Sequence, residues 1–262
     1  MSGGPAAAGA WLPPRRREGG AIRLFALPYA GGDTSIFARW DDELPREIEL
    51  CPVQLPGRGR RALEPAYDEL GPLVGALADA LAPVVGEPFA LFGHSMGALV
   101  CFELARELRR RGRPLPCHLL ASGRPAPQLP RRYGPLSHLP DAEFVDQLHR
   151  RYGYARPPDD GQLAELLALM VPTLRADVKV SDGYTYADEA PLDCPITAFG
   201  GLADATVTRD ELVAWQHQTR ARFETRMLPG GHFYLESEWG FLVRFIANTL
   251  QGAPRARPKE SP

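Results

Sequence analysis

Much of what commonly betrays a chain's task is scarce here. Only four cysteines, Cys51, Cys101, Cys117 and Cys194, are spread over 262 residues. None forms a C-x-x-C pair, and three fall in segments that read as strands. They are expected to be small buried apolar residues in a reducing compartment, not a disulfide frame or a zinc site. No run approaches about 18 apolar residues, so no transmembrane helix is expected. Residues 1–20, dominated by Gly, Ala, Pro and Arg, lack the apolar core of a secretion signal. They read as a disordered tail, as does the stretch 252–262, and a cytoplasmic protein is expected. Charge of one sign is lacking too. The formal net charge is −2 and no basic domain stands out, which speaks against a nucleic-acid partner. Lysine is almost absent: Lys179 and Lys259 stand alone among 30 basic residues, a pattern that codon usage explains better than function. No internal repeat is visible, and no metal or cofactor is expected.

What is present is an alternation of short apolar strands and amphipathic helices. Strands read at 22–27, 48–54, 89–92 and on to Ser95, 117–122, 195–200 and 223–228. Between them, Asp33 or Thr34 caps a helix carrying Ile36, Phe37, Trp40 and Leu44, and Leu70, Leu73, Leu77 and Leu81 fall at helical spacing over 70–81. A helix follows Ser95 to about Arg111, and 241–250 closes the chain as a helix. This order predicts an α/β class with a mainly parallel sheet flanked by helices, one domain over 21–251. The interval 124–186 breaks the rhythm. It holds helical runs at about 141–151, 160–170 and 172–180 and no convincing strand. It reads as a helical lid inserted before the penultimate strand, leaving from the sheet edge where Ser95 sits.

The organising stretch is Pro88–Val100, PFALFGHSMGALV. The apolar run Phe89–Phe92 reads as a buried strand, Ala98 opens a helical run, and Gly93-His94-Ser95-Met96-Gly97 lies between. This is the G-x-S-x-G pattern of a nucleophile elbow in the strand-to-helix context that gives it meaning. The glycines permit a turn too tight for side chains two residues either side of the serine. The helix N-terminus behind favours developing negative charge.

A serine hydroxyl needs a base, and the base needs an orienting group. In this architecture the order is Ser, acid, His. His118 sits in a strand, His138 and His149 in the lid and His217 on a late helix, whereas His232 follows the last strand in Pro229-Gly230-Gly231-His232-Phe233. His232 is therefore the candidate base, and His94 should point away from the turn. Asp204 follows the 195–200 strand in Gly200-Gly201-Leu202-Ala203-Asp204 and is the candidate acid. Asp193 lies at the wrong end of that strand, and Asp210 belongs to the following helix. The oxyanion donors are expected to be the backbone N–H of Met96 and of Ala30, with Tyr29 one register away, in the loop Pro28-Tyr29-Ala30-Gly31-Gly32. These residues predict acyl transfer through an acyl-enzyme on Ser95.

Several motifs together carry a family resemblance over nearly the whole chain from about Ile22 to Leu250. They are Pro28-Tyr29-Ala30-Gly31-Gly32 with Phe37 and Trp40, Gln54-Leu55-Pro56-Gly57-Arg58-Gly59-Arg60, Gly93-His94-Ser95-Met96-Gly97-Ala98, Pro172-Thr173-Leu174-Arg175-Ala176-Asp177 and Gly230-Gly231-His232-Phe233. In this order the set resembles the type II thioesterases of modular polyketide synthases and nonribosomal peptide synthetases. The resemblance implies an α/β-hydrolase fold. It also implies hydrolysis of aberrant, stalled or decarboxylated short acyl groups from the phosphopantetheine arm of acyl or peptidyl carrier proteins, the arm being part of the substrate. It gives Ser95, Asp204 and His232 the triad roles, with Met96 and Ala30 as oxyanion donors. One departure is Ser181-Asp182-Gly183-Tyr184, where relatives often carry a Glu-x-Tyr-like pattern. A carboxylesterase of small oxygen esters, an acyltransferase or release enzyme, and a non-catalytic carrier-binding scaffold are the competing readings; a free-standing chain weighs against a release domain. Arg58, Arg60 and Arg61, and the lid residues Arg131, Arg132, Arg150 and Arg151, are candidates to meet an acidic carrier, the lid pairs foremost.

Overall fold

The computed structural model describes residues 9–13, 19–85, 88–154 and 161–252. Six strands form one sheet: β1 (Ile22–Leu27), β2 (Ile48–Pro52), β3 (Phe89–His94), β4 (His118–Ser122), β5 (Ile196–Gly201) and β6 (Phe223–Leu228). They lie in the order β2-β1-β3-β4-β5-β6, and every pairing is parallel. Burial on both faces explains why the central strands read as nearly unbroken apolar runs. Successive side chains alternate between the faces. Leu24 and Ala26 of β1 join Ala90 and Phe92 of β3 on one side, while Phe25, Leu27, Phe89 and Leu91 join the other.

The helices are α1 (Trp40–Glu43), α2 (Leu70–Leu81), α3 (Met96–Arg110), α4 (Asp141–Tyr152), α5 (Gly161–Asp182), α6 (Arg209–Val213), α7 (Tyr234–Ser237) and α8 (Trp239–Gln251). Helices α2 and α3 cover one face of the sheet through Leu73, Leu77, Val100 and Leu104, and α8 covers the other through Leu242, Val243 and Ile246. Trp40 and Phe92 meet edge to face, with ring centroids 4.9 Å apart.

The structure departs from the sequence reading in four places. The helix expected after Asp33 is a 3-10 turn, Thr34–Phe37, followed by the single turn α1, although Phe37, Trp40 and Leu44 are buried as their spacing required. The expected helices at 160–170 and 172–180 are one, because α5 runs through Pro172; Asp160 itself lies outside the described residues. Of the three cysteines assigned to strands, Cys51 alone sits in one; Cys117 and Cys194 precede β4 and β5. Lastly, the tail expected over residues 1–20 is docked at Trp11. Its ring is buried beneath Arg61, and its carbonyl accepts the Gln54 N–H at 2.7 Å. Residues 1–8, 14–18 and 253–262 lie outside the described residues.

Parallel strands put all their carboxyl ends on one edge, where α/β sheets bind ligands. The register brings those ends level: Leu27 pairs with Gly93, His94 with Ser122, Ser122 with Phe199 and Gly201 with Leu228. Every loop that carries a candidate residue leaves from this edge.

Candidate active site

Ser95 has φ +54° and ψ −109°, and it is the one non-glycine residue with positive φ among the described residues. An L-residue holds such a conformation at a cost of about 1–3 kcal/mol when its surroundings leave no alternative. Here they leave none. The Ser95 N–H donates to the Ser122 carbonyl at 2.7 Å, while α3 starts at once with Met96. The turn is so tight that a Cβ on Gly93 would lie 2.1 Å from the Gly97 carbonyl oxygen. One on Gly97 would lie 2.5 Å from the Leu27 oxygen. Glycine at both positions lets α3 press against the end of β1, beside the loop holding Ala30.

On the far side of the edge, the loops after β5 and β6 are stitched by backbone bonds. Leu202 N–H donates to Leu228 O at 2.8 Å and Ala203 N–H to Gly230 O at 2.9 Å. A Cβ at Gly201 would sit 2.4 Å from the Gly231 oxygen. This seam brings Asp204 Oδ2 to 2.8 Å from His232 Nδ1. Asp204 Oδ1 accepts from the Thr206 N–H at 2.8 Å and its hydroxyl at 2.6 Å. Both side chains are enclosed, 1% and 3% exposed for Asp204 and His232. Burial alone would raise the Asp204 carboxyl, but the hydrogen bonds and charge from His232 and Thr206 outweigh it and hold the group below its ordinary value. Asp193 is exposed ahead of β5, and Asp210 lies in the first turn of α6. Neither joins this cluster.

Ser95, Met96, Ala30 and His232 line one cavity of about 410 Å³. Most of its remaining wall comes from the helical insertion between β4 and β5, including Leu136, Leu148, Tyr152, Tyr154, Val178 and Tyr184, with Thr206, Val207 and Glu211 added from beyond β5. The cysteines offer no rival nucleophile. Burial pushes the Cys117 thiol up to about 11 and Cys194 up to about 12, and Cys101 higher still.

Two features were beyond the reach of the sequence. The first is the aromatic packing of the insertion. Tyr152 packs at a tilt with its ring centroid 5.0 Å from that of His232, and Tyr154 packs 4.7 Å from Phe233 and donates its hydroxyl to the Ala30 carbonyl at 2.6 Å. The second is a buried ion pair. Asp177 of α5 accepts from Arg58, through Nη2 at 2.7 Å and through Nη1, and also from the Gly31 N–H at 2.7 Å. Arg58, expected as a carrier-docking residue, is instead buried in this clamp. Arg61 is likewise engaged, with Glu64, the Gln54 carbonyl and the Trp11 ring. A guanidinium's rigid planar fork suits both tasks. His94 points into the protein, away from the turn as its place beside Ser95 predicted. Its Nδ1 lies 2.8 Å from Ser122 Oγ, which lies 2.5 Å from the Tyr234 hydroxyl, and its buried Nε2 has no hydrogen-bond partner among the described residues. Burial first, then the neighbouring His232, push the His94 imidazole well below its usual value, so it stays neutral.

Fold and site together define a class. The model of the thioesterase domain family matches residues 22–250, and the chain belongs to that family. The gramicidin S biosynthesis protein GrsT of Aneurinibacillus migulanus is 42% identical over 88% of this chain and 89% of its own. The thioesterase PikA5 of Streptomyces venezuelae is 38% identical over 92% and 86%. Among solved structures, the type II thioesterase YbtT from the yersiniabactin NRPS/PKS pathway superposes with a TM-score of 0.78 at 31% identity, over 88% of this chain and 94% of that one. Within its family the chain is a type II thioesterase of the nonribosomal peptide and polyketide kind. Among the described residues no helix is long and apolar enough to cross a membrane.

Two outcomes follow from this geometry. Asp177→Asn leaves the Arg58 charge buried without its counter-ion and is expected to destabilise the protein by about 3–5 kcal/mol in urea unfolding. The second concerns pH. His94 and His118, the latter lowered by burial to about 4, bind protons more readily unfolded than folded. Their contribution to stability is complete above about pH 6.5 and is lost as pH falls through the folded values, by up to about 1.4 kcal/mol per pH unit for each. Thermal midpoints between pH 7.5 and 5 should fall accordingly, and His94→Gln should flatten that slope.

Proposed function

We propose that the protein is an editing hydrolase that clears aberrant or stalled short acyl groups from the phosphopantetheine arm of acyl or peptidyl carrier proteins. The observation that carries this reading is the cavity shared by Ser95, Met96, Ala30 and His232, with Asp204 held at 2.8 Å behind the imidazole.

In this mechanism Ser95 Oγ attacks the thioester carbonyl while the His232 Nε2 takes its proton. Asp204 fixes the Nδ1–H tautomer and stabilises the imidazolium. The carbonyl oxygen becomes an oxyanion received by the N–H groups of Met96 and Ala30. One such donor is typically worth about 2.7–4 kcal/mol of transition-state stabilisation. Collapse expels the pantetheine thiol, which takes the proton from His232. A thiol of ordinary pKa near 8.5 leaves readily, so a plain triad is enough. Water, deprotonated by His232, then attacks the acyl-enzyme, and the carboxylic acid departs as Ser95 recovers its proton.

The clamp through Asp177 and Arg58, with Tyr154 on the Ala30 carbonyl, fixes the backbone from which the second oxyanion donor projects. Such rigidity is what an oxyanion hole requires, since donors that must reorganise lose most of their advantage. A cavity of about 410 Å³ suits a short chain better than a long product. Arg131 and Arg132, 37% and 41% exposed along the cavity wall, and Arg150, at 67%, leave positive charge on the insertion for an acidic carrier, although each also has an acidic neighbour in the chain.

Ser95→Ala tests the reading. Hydrolysis of an acyl-carrier substrate should fall by on the order of 10⁴-fold or more while the circular dichroism spectrum is retained. With the unaltered protein, intact-mass analysis of rapidly quenched reactions should show an acyl adduct on the peptide containing Ser95. Turnover surviving in the alanine variant would remove Ser95 as nucleophile. A preference for small oxygen esters over thioesters would replace the carrier reading with that of a carboxylesterase.

A further inference from the structure

The cavity that holds Ser95 and His232 is charged, and unevenly. Its lining carries four guanidinium groups, on Arg124, Arg131, Arg132 and Arg151, against two carboxylates, on Asp182 and Glu211. Both carboxylates are engaged. Asp182 accepts the Leu136 and Ser137 N–H groups at 2.9 and 2.8 Å and lies 3.4 Å from Arg131. Glu211 accepts from the Thr208 N–H and hydroxyl and lies 3.4 Å from Arg132. Arg151 donates to the Gly134 carbonyl at 2.8 Å and lies over the Tyr133 ring.

Arg124, like Arg151, has no counter-ion among the described residues. Among the described residues no carboxylate stands within 4.0 Å of it, and its side chain donates to the Ser181 hydroxyl at 3.2 Å. Its place in the wall is fixed by its chain position. It is the second residue after β4, whose last residue, Ser122, accepts the Ser95 N–H. Its carbonyl accepts the Trp215 indole N–H at 2.9 Å. Its charge acts on the Tyr152 phenol, and the Tyr152 ring is the one packed 5.0 Å from His232. Burial pulls the guanidinium below its ordinary value, the direction expected of an enclosed cation short of counter-charge.

We propose that Arg124 makes this chamber selective by charge: short neutral acyl groups enter, and acyl groups that carry an ammonium, as aminoacyl units do, are turned away. The inference rests on the reading of the cavity as the acyl chamber. An ammonium brought into this space would shed water and meet a like charge that no carboxylate contacts among the described residues. Across a chamber of this size, two unit charges about 8 Å apart at an effective dielectric near 20 disfavour coexistence by roughly thirtyfold. Rejection by an unfavourable contact is an efficient way to discriminate substrates of the same shape. For an editing enzyme the consequence is useful. A correctly loaded aminoacyl thioester is spared, and an acyl group without the amine is removed.

Butyryl and 3-aminopropionyl thioesters test this most cleanly, because a methyl in one is an ammonium in the other. Both are offered on N-acetylcysteamine at pH 7 to the unaltered protein, to Arg124→Gln and to Arg124→Lys. The ratio of kcat/KM, butyryl over 3-aminopropionyl, is expected to fall at least tenfold in Arg124→Gln and to stay near the unaltered value in Arg124→Lys, which keeps the charge. A ratio that moves less than twofold in Arg124→Gln, or falls as far in Arg124→Lys, overturns the proposal. Because the glutamine variant could fail to fold, the unaltered protein is also inhibited with the matching thioethers, S-butyl- and S-(3-aminopropyl)-N-acetylcysteamine. The ammonium analogue is expected to bind at least tenfold more weakly, and equal inhibition refutes the idea. Butyryl hydrolysis by the unaltered protein separates this test from that of the triad: its absence would discredit the catalytic reading and leave the thioether comparison to judge the charge filter.

Discussion

The backbone turn at Ser95 is the constraint on which the rest of the molecule depends. A strand running straight into a helix would bury the intervening side chain. Only a left-handed residue at the junction lifts it clear. That conformation costs energy, and the cost is met by packing on both sides. The Ser122 carbonyl holds the Ser95 N–H, and α3 lies so close to the end of β1 that no side chain fits at Gly97. The same closeness brings the β1 loop with Ala30 beside the start of α3, so the strain at the serine and the place of a candidate oxyanion donor share one cause.

A second tie runs from the sheet to the helical insertion. Asp177 and Tyr154 reach the loop 29–32 from α5 and from the segment after α4, and Tyr152 reaches His232. The insertion therefore does two things at once. It walls the cavity, and it braces backbone that the sheet alone leaves at the end of a glycine-rich loop. Arg58 closes the arrangement by balancing the Asp177 charge, which explains in physical terms why three motifs far apart in the chain occur together. Each supplies one partner of a single buried cluster.

The strands were legible because burial on both faces demands apolar runs, as in Phe89–Phe92, and because turn residues bound them. The serine, histidine and aspartate candidates were legible from strand ends, since a parallel sheet sends all its carboxyl ends to one edge. Other features were not. Proline forfeits an intrahelical hydrogen bond and reads as a break, yet α5 passes through Pro172. Trp11 sits in a stretch whose composition says tail, and its burial depends on Tyr67 and Arg61, far off in sequence. Arg58 looked like surface charge because nothing near it in the chain reveals an acid 119 residues away. Tyr152 and Tyr154 carried no local signal beyond their size.

The most direct measurement of the central claim is a crystal structure of the protein after reaction with a short alkyl fluorophosphonate, whose phosphoryl oxygen stands where the oxyanion would be. Phosphorus bonded to Ser95 Oγ is expected, with that oxygen about 2.7–3.1 Å from the backbone nitrogens of Met96 and Ala30. The His232 ring is expected to face the adduct and to keep its bond to Asp204. A phosphoryl oxygen turned to solvent, away from both nitrogens, or labelling at a residue other than Ser95, would contradict the account.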